Sequence, residues 1–167
     1  MYNKLIMKTK PHPIISWDEF FMGLASMSAL RSKDPSSQVG ACIAGPDYKV
    51  VSIGYNGMPR YCPEDQLTWN KKVGSLDNKY LYVCHAEFNA ILNALGGRDL
   101  KGCTIYVNLF PCNECAKAII QTGIKEVVYE SDKYADTVAV KASKRLLNLA
   151  GVKVRKYTGR QIIHTVK

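Results

Sequence analysis

The sequence predicts an α/β protein in which helices pack on a layered sheet, and three observations carry that reading. β-rich runs alternate with stretches of helical periodicity along most of the chain. Val39 to Ala44 and Lys49 to Tyr55 are joined only by Gly45-Pro46-Asp47-Tyr48, the pattern of an antiparallel hairpin. Later β-rich runs are separated by helical stretches, so some parallel pairing is expected after the hairpin.

Each element follows from local signals. Residues 1–15, with Pro11 and Pro13, read as an irregular arm. Ser16 with Glu19 three positions on is a capping box, opening a helix whose apolar face is Phe20, Leu24, Met27 and Leu30. That helix is expected to run to about Lys33, where Asp34-Pro35-Ser36-Ser37 stops it. After the hairpin comes a polar segment reaching about Lys79 without clear periodicity, which reads as an ordered surface loop or as a lid for a substrate or effector. Glu87 to Leu95 reads as a helix with Phe88, Ile91, Leu92 and Leu95 inward, stopped by Gly96-Gly97. Cys103 to Leu109 is a strand, Ala116 to Gln121 a helix ended by Gly123, and Glu126 to Tyr129 a short strand. Ser131 to Asp136 is a loop. Thr137 to Leu149 follows as a helix with Val138, Leu146 and Leu149 inward, and Val152 to Tyr157 is the last strand. The organisation is thus an arm (1–15), one domain (16–157) and a basic tail (158–167).

Composition narrows the class. At 167 residues, 47% hydrophobic and 22% charged, the chain can bury a core as a single globular domain. The net charge of +9 is uneven: residues 1–17 and 137–167 hold 11 basic and no acidic residues, whereas residues 18–136 carry −2. Basic ends of this kind serve a polyanion, a neighbouring subunit or solubility. No apolar run marks a signal peptide or a membrane span, and the scattered cysteines fit a reducing, cytoplasmic setting. Cys42 and Cys103 lie in apolar runs and read as buried thiols.

Two short stretches carry the chemistry. Cys84-His85-Ala86-Glu87 offers an imidazole and, two positions on, a carboxylate. Pro111-Cys112-Asn113-Glu114-Cys115 offers two thiolates directly after a proline. One His and two Cys suit tetrahedral zinc and leave its fourth position open, which marks a catalytic rather than a structural site. Cys112 and Cys115 fall at the start of an expected helix, where the dipole favours thiolate. Glu87 is placed to move protons rather than to close the metal site, and Cys84 reads as a packing residue. His12 and His164 lie in the ends of the chain and read as surface residues. The alternatives for the C-x-x-C, a structural zinc or a redox pair, are disfavoured by the upstream His-x-Glu.

H-x-E followed by P-C-x-x-C is the signature of zinc-dependent nucleobase deaminases. The runs Arg31 to Cys42, Gly54-Tyr55-Asn56-Gly57-Met58-Pro59, His85 to Ile91, Phe110 to Lys117 and Ser131 to Tyr134 resemble the deoxycytidylate (dCMP) deaminase family of the cytidine/deoxycytidylate deaminase superfamily. The likeness spans about Ile15 to Lys156. It implies a three-layer α/β/α sandwich around a mixed five-stranded sheet, and hydrolysis of dCMP to dUMP and ammonia for thymidylate synthesis. It also implies one catalytic Zn2+ per subunit on His85, Cys112 and Cys115, with Glu87 as proton shuttle. Asn56, Ala86 and Tyr134 match substrate-contacting positions. For Asn56 the alternative is an Asn-Gly turn, and Tyr134 could stack on the base, bond the phosphate or be an ordinary loop aromatic. Arg31, Lys33, Gly54, Gly57, Arg60 and Lys79 are candidate phosphate or effector contacts, with no choice among the basic ones. The resemblance further implies a homohexamer, activated by dCTP (with Mg2+) and inhibited by dTTP, and no membrane or nucleic-acid partner. One His between positions 13 and 163 leaves no expectation of a second, His-containing zinc site. The rival is a deaminase acting on tRNA adenosine or single-stranded DNA cytosine, which the basic ends favour mildly. A deaminase-like binding module without activity is the other, and the intact Glu87 speaks against it.

Overall fold

The computed structural model describes residues 12–94 and 99–162. Its elements in order are α1 (Trp17–Ala29), β1 (Gly40–Ala44), β2 (Val50–Tyr55), α2 (Ala86–Ala94), β3 (Thr104–Leu109), α3 (Asn113–Gln121), β4 (Glu126–Ser131), α4 (Val138–Leu149) and β5 (Lys153–Lys156). The five strands form one mixed sheet in the order β2-β1-β3-β4-β5. β1 runs antiparallel to both β2 and β3, whereas β3, β4 and β5 are parallel. Alternation along the strands sends Ala41, Ile43, Ile105, Val107 and Val127 to one face, against Ala90, Ile91, Ile119 and Leu147 of the helices. Cys42, Ala44, Tyr106 and Val128 face the other way, against Phe21, Met22 and Ala25 of α1. The result is a three-layer α/β/α sandwich, with one helix on one side and three on the other.

Caps and turns behave as their residues dictate. Ser16 Oγ accepts from Glu19 N–H at 3.2 Å, and the Ser16 N–H donates to Glu19 Oε2 at 2.7 Å, so the capping box is formed. The hairpin closes with Gly45 N–H donating to the Lys49 carbonyl, and Tyr48 takes a positive φ of 61° there.

Leu24 of α1 and Ile91 of α2 pack inward as the apolar spacing suggests, but the rest of each inward face differs from it. In α1 the buried residues include Phe21, Met22, Ala25, Ser28 and Ala29, while Phe20, Met27 and Leu30 are exposed. The helix also ends at Ala29, with Leu30 as its C-cap, rather than near Lys33. In α2 the buried face is Ala86, Glu87, Ala90, Ile91 and Ala94, with Phe88 and Leu92 exposed. Gly96-Gly97 and Leu95 lie outside the described residues. The cause is close approach: a Cβ on Gly40 would stand 1.9 Å from the Ala25 carbonyl oxygen, and one on Gly54 would stand 2.3 Å from the Ala90 nitrogen. At these two crossing points only small residues, Ala25, Ser28 and Ala29 of α1 and Ala86 and Ala90 of α2, can sit so near a strand. This sets the rotation of each helix and leaves Phe20, Met27, Phe88 and Leu92 outward. α4 likewise buries Val140, Ser143 and Leu147, not Val138 or Leu149.

Ser143 Oγ is buried with no hydrogen-bond partner among the described residues. Ser143→Ala is therefore expected to stabilise the protein by about 1 kcal/mol, because it removes an unsatisfied polar group. Chemical denaturation with an unchanged m-value would register the gain, and a loss of stability would contradict it.

Two further features close the architecture. Arg155 reaches Asp18 through two bonds of 2.6 and 2.7 Å and Glu126 through one of 2.8 Å, tying the start of α1 to β5. Residues 158–162 fold back: Arg160 pairs with Glu19 at 2.7 Å and Gln161 bonds Glu130 at 3.1 Å. At the opposite edge of the sheet, Asn93 and Asn89 of α2 donate to the carbonyls of Ile53 and Tyr55 of β2, each at 2.8 Å.

Candidate active site

Two helix starts face each other at one end of the sheet. The His85 carbonyl accepts from Asn89 N–H at 3.0 Å, opening α2, and the Cys112 carbonyl accepts from Ala116 N–H at 2.9 Å, opening α3. His85 and Cys112 therefore stand at the N-cap positions of adjacent helices, with Cys115 one turn into α3. His85 Nδ1 lies 3.4 Å from Cys112 Sγ and 3.5 Å from Cys115 Sγ. The three donor atoms all fall within 4.8 Å of one another. His85 is held in place from behind: Gly57 and Cys84 form a backbone bridge, with N–H···O distances of 3.0 and 2.9 Å.

The donors polarise one another. The Cys112 sulfur accepts hydrogen bonds from Cys115 and then from His85, which brings its thiol down to about 4, despite its burial. The same contact with the Cys112 sulfur, followed by burial, pushes Cys115 up. His85 rises to about 8, chiefly through its hydrogen bond with Cys112. A thiolate beside an imidazolium and a second, protonated thiol is the set that a soft divalent ion displaces protons from. One nitrogen and two sulfurs so placed fit Zn2+ and leave a vertex free.

Glu87 sits in the first turn of α2, 3% exposed. Burial raises its carboxyl to about 7, outweighing the opposing influence of His85. A raised acid binds its proton more tightly in the folded state, so its folding contribution declines once pH passes the unfolded value near 4.5 and levels off above about 7. Metal-free protein should therefore lose stability relative to metal-free Glu87→Gln between about pH 5 and pH 8, by the order of 3 kcal/mol. Urea melts of the two at both pH values check this, and parallel pH curves would refute it.

The other candidates are placed as follows. Asn56 is 5% exposed, and all three of its amide contacts are internal: Oδ1 accepts from Val39 N–H at 2.8 Å, and Nδ2 donates to Ser37 O at 3.0 Å and Asp34 Oδ2 at 3.3 Å. Ala86 is the buried first residue of α2. Tyr134 is half exposed, with Lys133 Nζ 5.1 Å over its ring; a hydrogen bond with Ser37 holds its hydroxyl below the usual tyrosine range. Gly54 is the close-packing point of β2 under α2, and Gly57 forms the bridge to Cys84. Among the basic candidates, Lys33 pairs with Glu64 at 2.5 Å, and Lys79 is buried against Asp34, also at 2.5 Å. Arg31 and Arg60 are exposed, with no ion pair among the described residues. His12 is exposed, and His164 lies outside the described residues. An open cleft of about 550 Å³ runs along residues 32–38, within the range of small-ligand sites. Sequence reasoning missed Asp34, which it took only for a helix stop; its carboxylate also accepts from Ser36 and Ser37 N–H groups, at 2.8 and 3.2 Å.

A three-layer α/β/α sandwich with an imidazole and two thiols at paired helix starts, and a buried carboxyl two residues beyond the imidazole, is the architecture of the metal-dependent nucleobase deaminases. A family model described as the cytidine and deoxycytidylate deaminase zinc-binding region matches residues 15–131, and the chain belongs to that family. It is 58% identical over 145 residues to deoxycytidylate deaminase of Mus musculus, covering 86% of this chain and 81% of the relative. The Homo sapiens deoxycytidylate deaminase is 57% identical over 144 residues, covering 86% and 80%. A solved structure of dCMP deaminase from the cyanophage S-TIM5, in complex with dCMP and dUMP, superposes with a TM-score of 0.69 at 24% identity. That match covers 87% of this chain and 100% of the phage protein, and it is a likeness of fold.

Proposed function

We propose that this chain hydrolyses dCMP to dUMP and ammonia, exchanging the exocyclic amine for a water oxygen. The reaction type rests on one observation, the convergence of His85, Cys112 and Cys115 beside a buried Glu87. The substrate rests on the likeness to deoxycytidylate deaminases over 86% of the chain.

His85 Nδ1 and the two sulfurs would hold the ion. When bound, zinc supplies Lewis acidity that lets water attack at neutral pH. Glu87 accepts the first proton that the water gives up and delivers it to the pyrimidine ring nitrogen. It then takes the remaining proton from the added hydroxyl and passes it to the amine, so that the C–N bond breaks, ammonia leaves and the C=O bond forms. A carboxyl held near neutrality by burial can both take and give a proton under these conditions. Asn56, Ala86 and Tyr134 line the substrate in this reading. Because both Asn56 amide hydrogens are already given to Asp34 and Ser37, it can offer a ligand only the acceptor side of its amide. Arg31 and Arg60 are the better phosphate candidates, since the charges of Lys33 and Lys79 are already countered.

The same reading extends to dUMP supply for thymidylate synthesis, activation by dCTP with Mg2+, inhibition by dTTP and a homohexamer. Six free cysteines fit a reducing, cytoplasmic compartment. Among the described residues no helix is long and apolar enough to cross a membrane. Incubating purified protein with dCMP, deoxycytidine, cytidine and single-stranded DNA, and measuring ammonia, tests the assignment. Release from dCMP alone is expected; turnover of DNA without dCMP would overturn it in favour of a nucleic-acid deaminase. A hyperbolic dCMP curve unmoved by dCTP and dTTP would remove the effectors.

A further inference from the structure

We propose that Asp34 and Lys79 act together as positioning residues, setting the aim of the Asn56 amide and the seat of His85. Asp34 lies in the α1–β1 connection and Lys79 lies 45 residues on, in the long segment before α2. Their side chains are 3% and 4% exposed, and Lys79 Nζ meets Asp34 Oδ2 at 2.5 Å.

The four bonds to the Asp34 carboxylate explain what the pair is for. Oδ1 takes the N–H groups of Ser36 and Ser37, which fixes the carboxylate to its own turn. Oδ2 takes Lys79 and also Asn56 Nδ2 at 3.3 Å. The orientation of that amide is chemically forced. Asp34 Oδ2 and Ser37 O can only accept, and Val39 N–H can only donate, so Nδ2 and Oδ1 cannot exchange places. The same carboxylate therefore holds both chain segments that deliver His85. Asn56 precedes Gly57, whose backbone bridge grips Cys84. Lys79 heads the turn that ends there: its carbonyl accepts from Tyr82 and Val83 at 3.0 and 2.9 Å, and its N–H donates to Asn70 O at 2.8 Å. A neutral pair of similar shape could fill the space, but it would not draw the two segments onto one point. Neither side chain is proposed to touch the reacting atoms.

The kinetic arm of the test rests on the dCMP reading, and the exchange arm does not. Lys79→Met and Asp34→Asn each leave a buried charge without its partner, which destabilises the fold whatever the role of the pair. The double variant Asp34→Asn/Lys79→Met removes both charges and is the decisive protein. It is expected to melt cooperatively and to bind one zinc, yet to show kcat/KM for dCMP lowered about 10²-fold, the scale of an ångström-level misplacement. Amides of residues 56–58 and 79–85 should exchange with deuterium on the order of tenfold faster, with those of α4 and β5 unchanged. Wild-type kinetics and wild-type exchange in both segments would overturn the proposal and leave the pair as filler. Absence of dCMP turnover by the unmodified protein would instead refute the substrate assignment, and the exchange measurement would still decide the role of the pair.

Discussion

Protein carrying Glu87→Gln is expected to keep a full complement of zinc and to lose roughly 10²–10⁴-fold in dCMP turnover, the contribution of one positioned acid–base group. The substitution preserves the shape of a side chain that is 3% exposed, so it leaves no cavity. It keeps all three donors in place, since Nδ1 of His85 and the sulfurs of Cys112 and Cys115 face one another, and alters only the group that bonds the Cys115 sulfur. What it removes is the capacity to take a proton and hand it on. Metal analysis and steady-state kinetics on the same preparation separate the two effects. Near-normal turnover would assign proton movement to another group; loss of zinc would mean that Glu87 helps hold the ion.

Gly40→Ala is expected to destabilise the fold by about 3 kcal/mol or more while leaving the chemistry of correctly folded molecules intact. The added carbon would stand 1.9 Å from the Ala25 carbonyl oxygen, 2.6 Å from Ser28 Oγ and 2.7 Å from the Ala29 nitrogen. Two of those three atoms are helix backbone, so no rotamer change relieves the overlap and α1 must lift away from β1. In a domain of this size the loss corresponds to roughly 6–12 °C in Tm. Gly54→Ala makes a second, distinguishable case. Its carbon would meet the Ala86 carbonyl at 2.4 Å, so α2 must move and His85 with it. That variant should therefore lose zinc affinity as well as stability. An unshifted melting curve for Gly40→Ala would show that α1 does not rest on the strand.

How much of this was legible in the chain depends on the distance over which each signal acts. The capping box at Ser16 and Glu19 and the hairpin at Gly45 to Tyr48 are readable because their partners lie within three or four residues. His85, Cys112 and Cys115 stood out because their chemistry is rare and their spacing fits one kind of ion. The helix faces were misread for a definite reason. Apolar spacing weighs large residues such as Phe20, Met27, Phe88 and Leu92, whereas contact with Gly40 and Gly54 selects small ones. Asp34 and Lys79 could not be paired from sequence, since nothing local marks a lysine as buried. The docking of Arg160 on Glu19 was hidden in the same way, because the two stand at opposite ends of the fold's chain order.

The outer border of the sheet at β2 reads Val-Val-Ser-Ile-Gly-Tyr, with no charge and no proline to deter a stray peptide. The amide groups of Asn89 and Asn93 occupy the acceptors that such a peptide would need at Tyr55 and Ile53. A neighbouring molecule approaching from that side finds two of the carbonyl rungs already taken, and cannot lay an unbroken ladder along this border. Runaway fibre growth along this uncharged border is thus discouraged by two neutral groups borrowed from a helix.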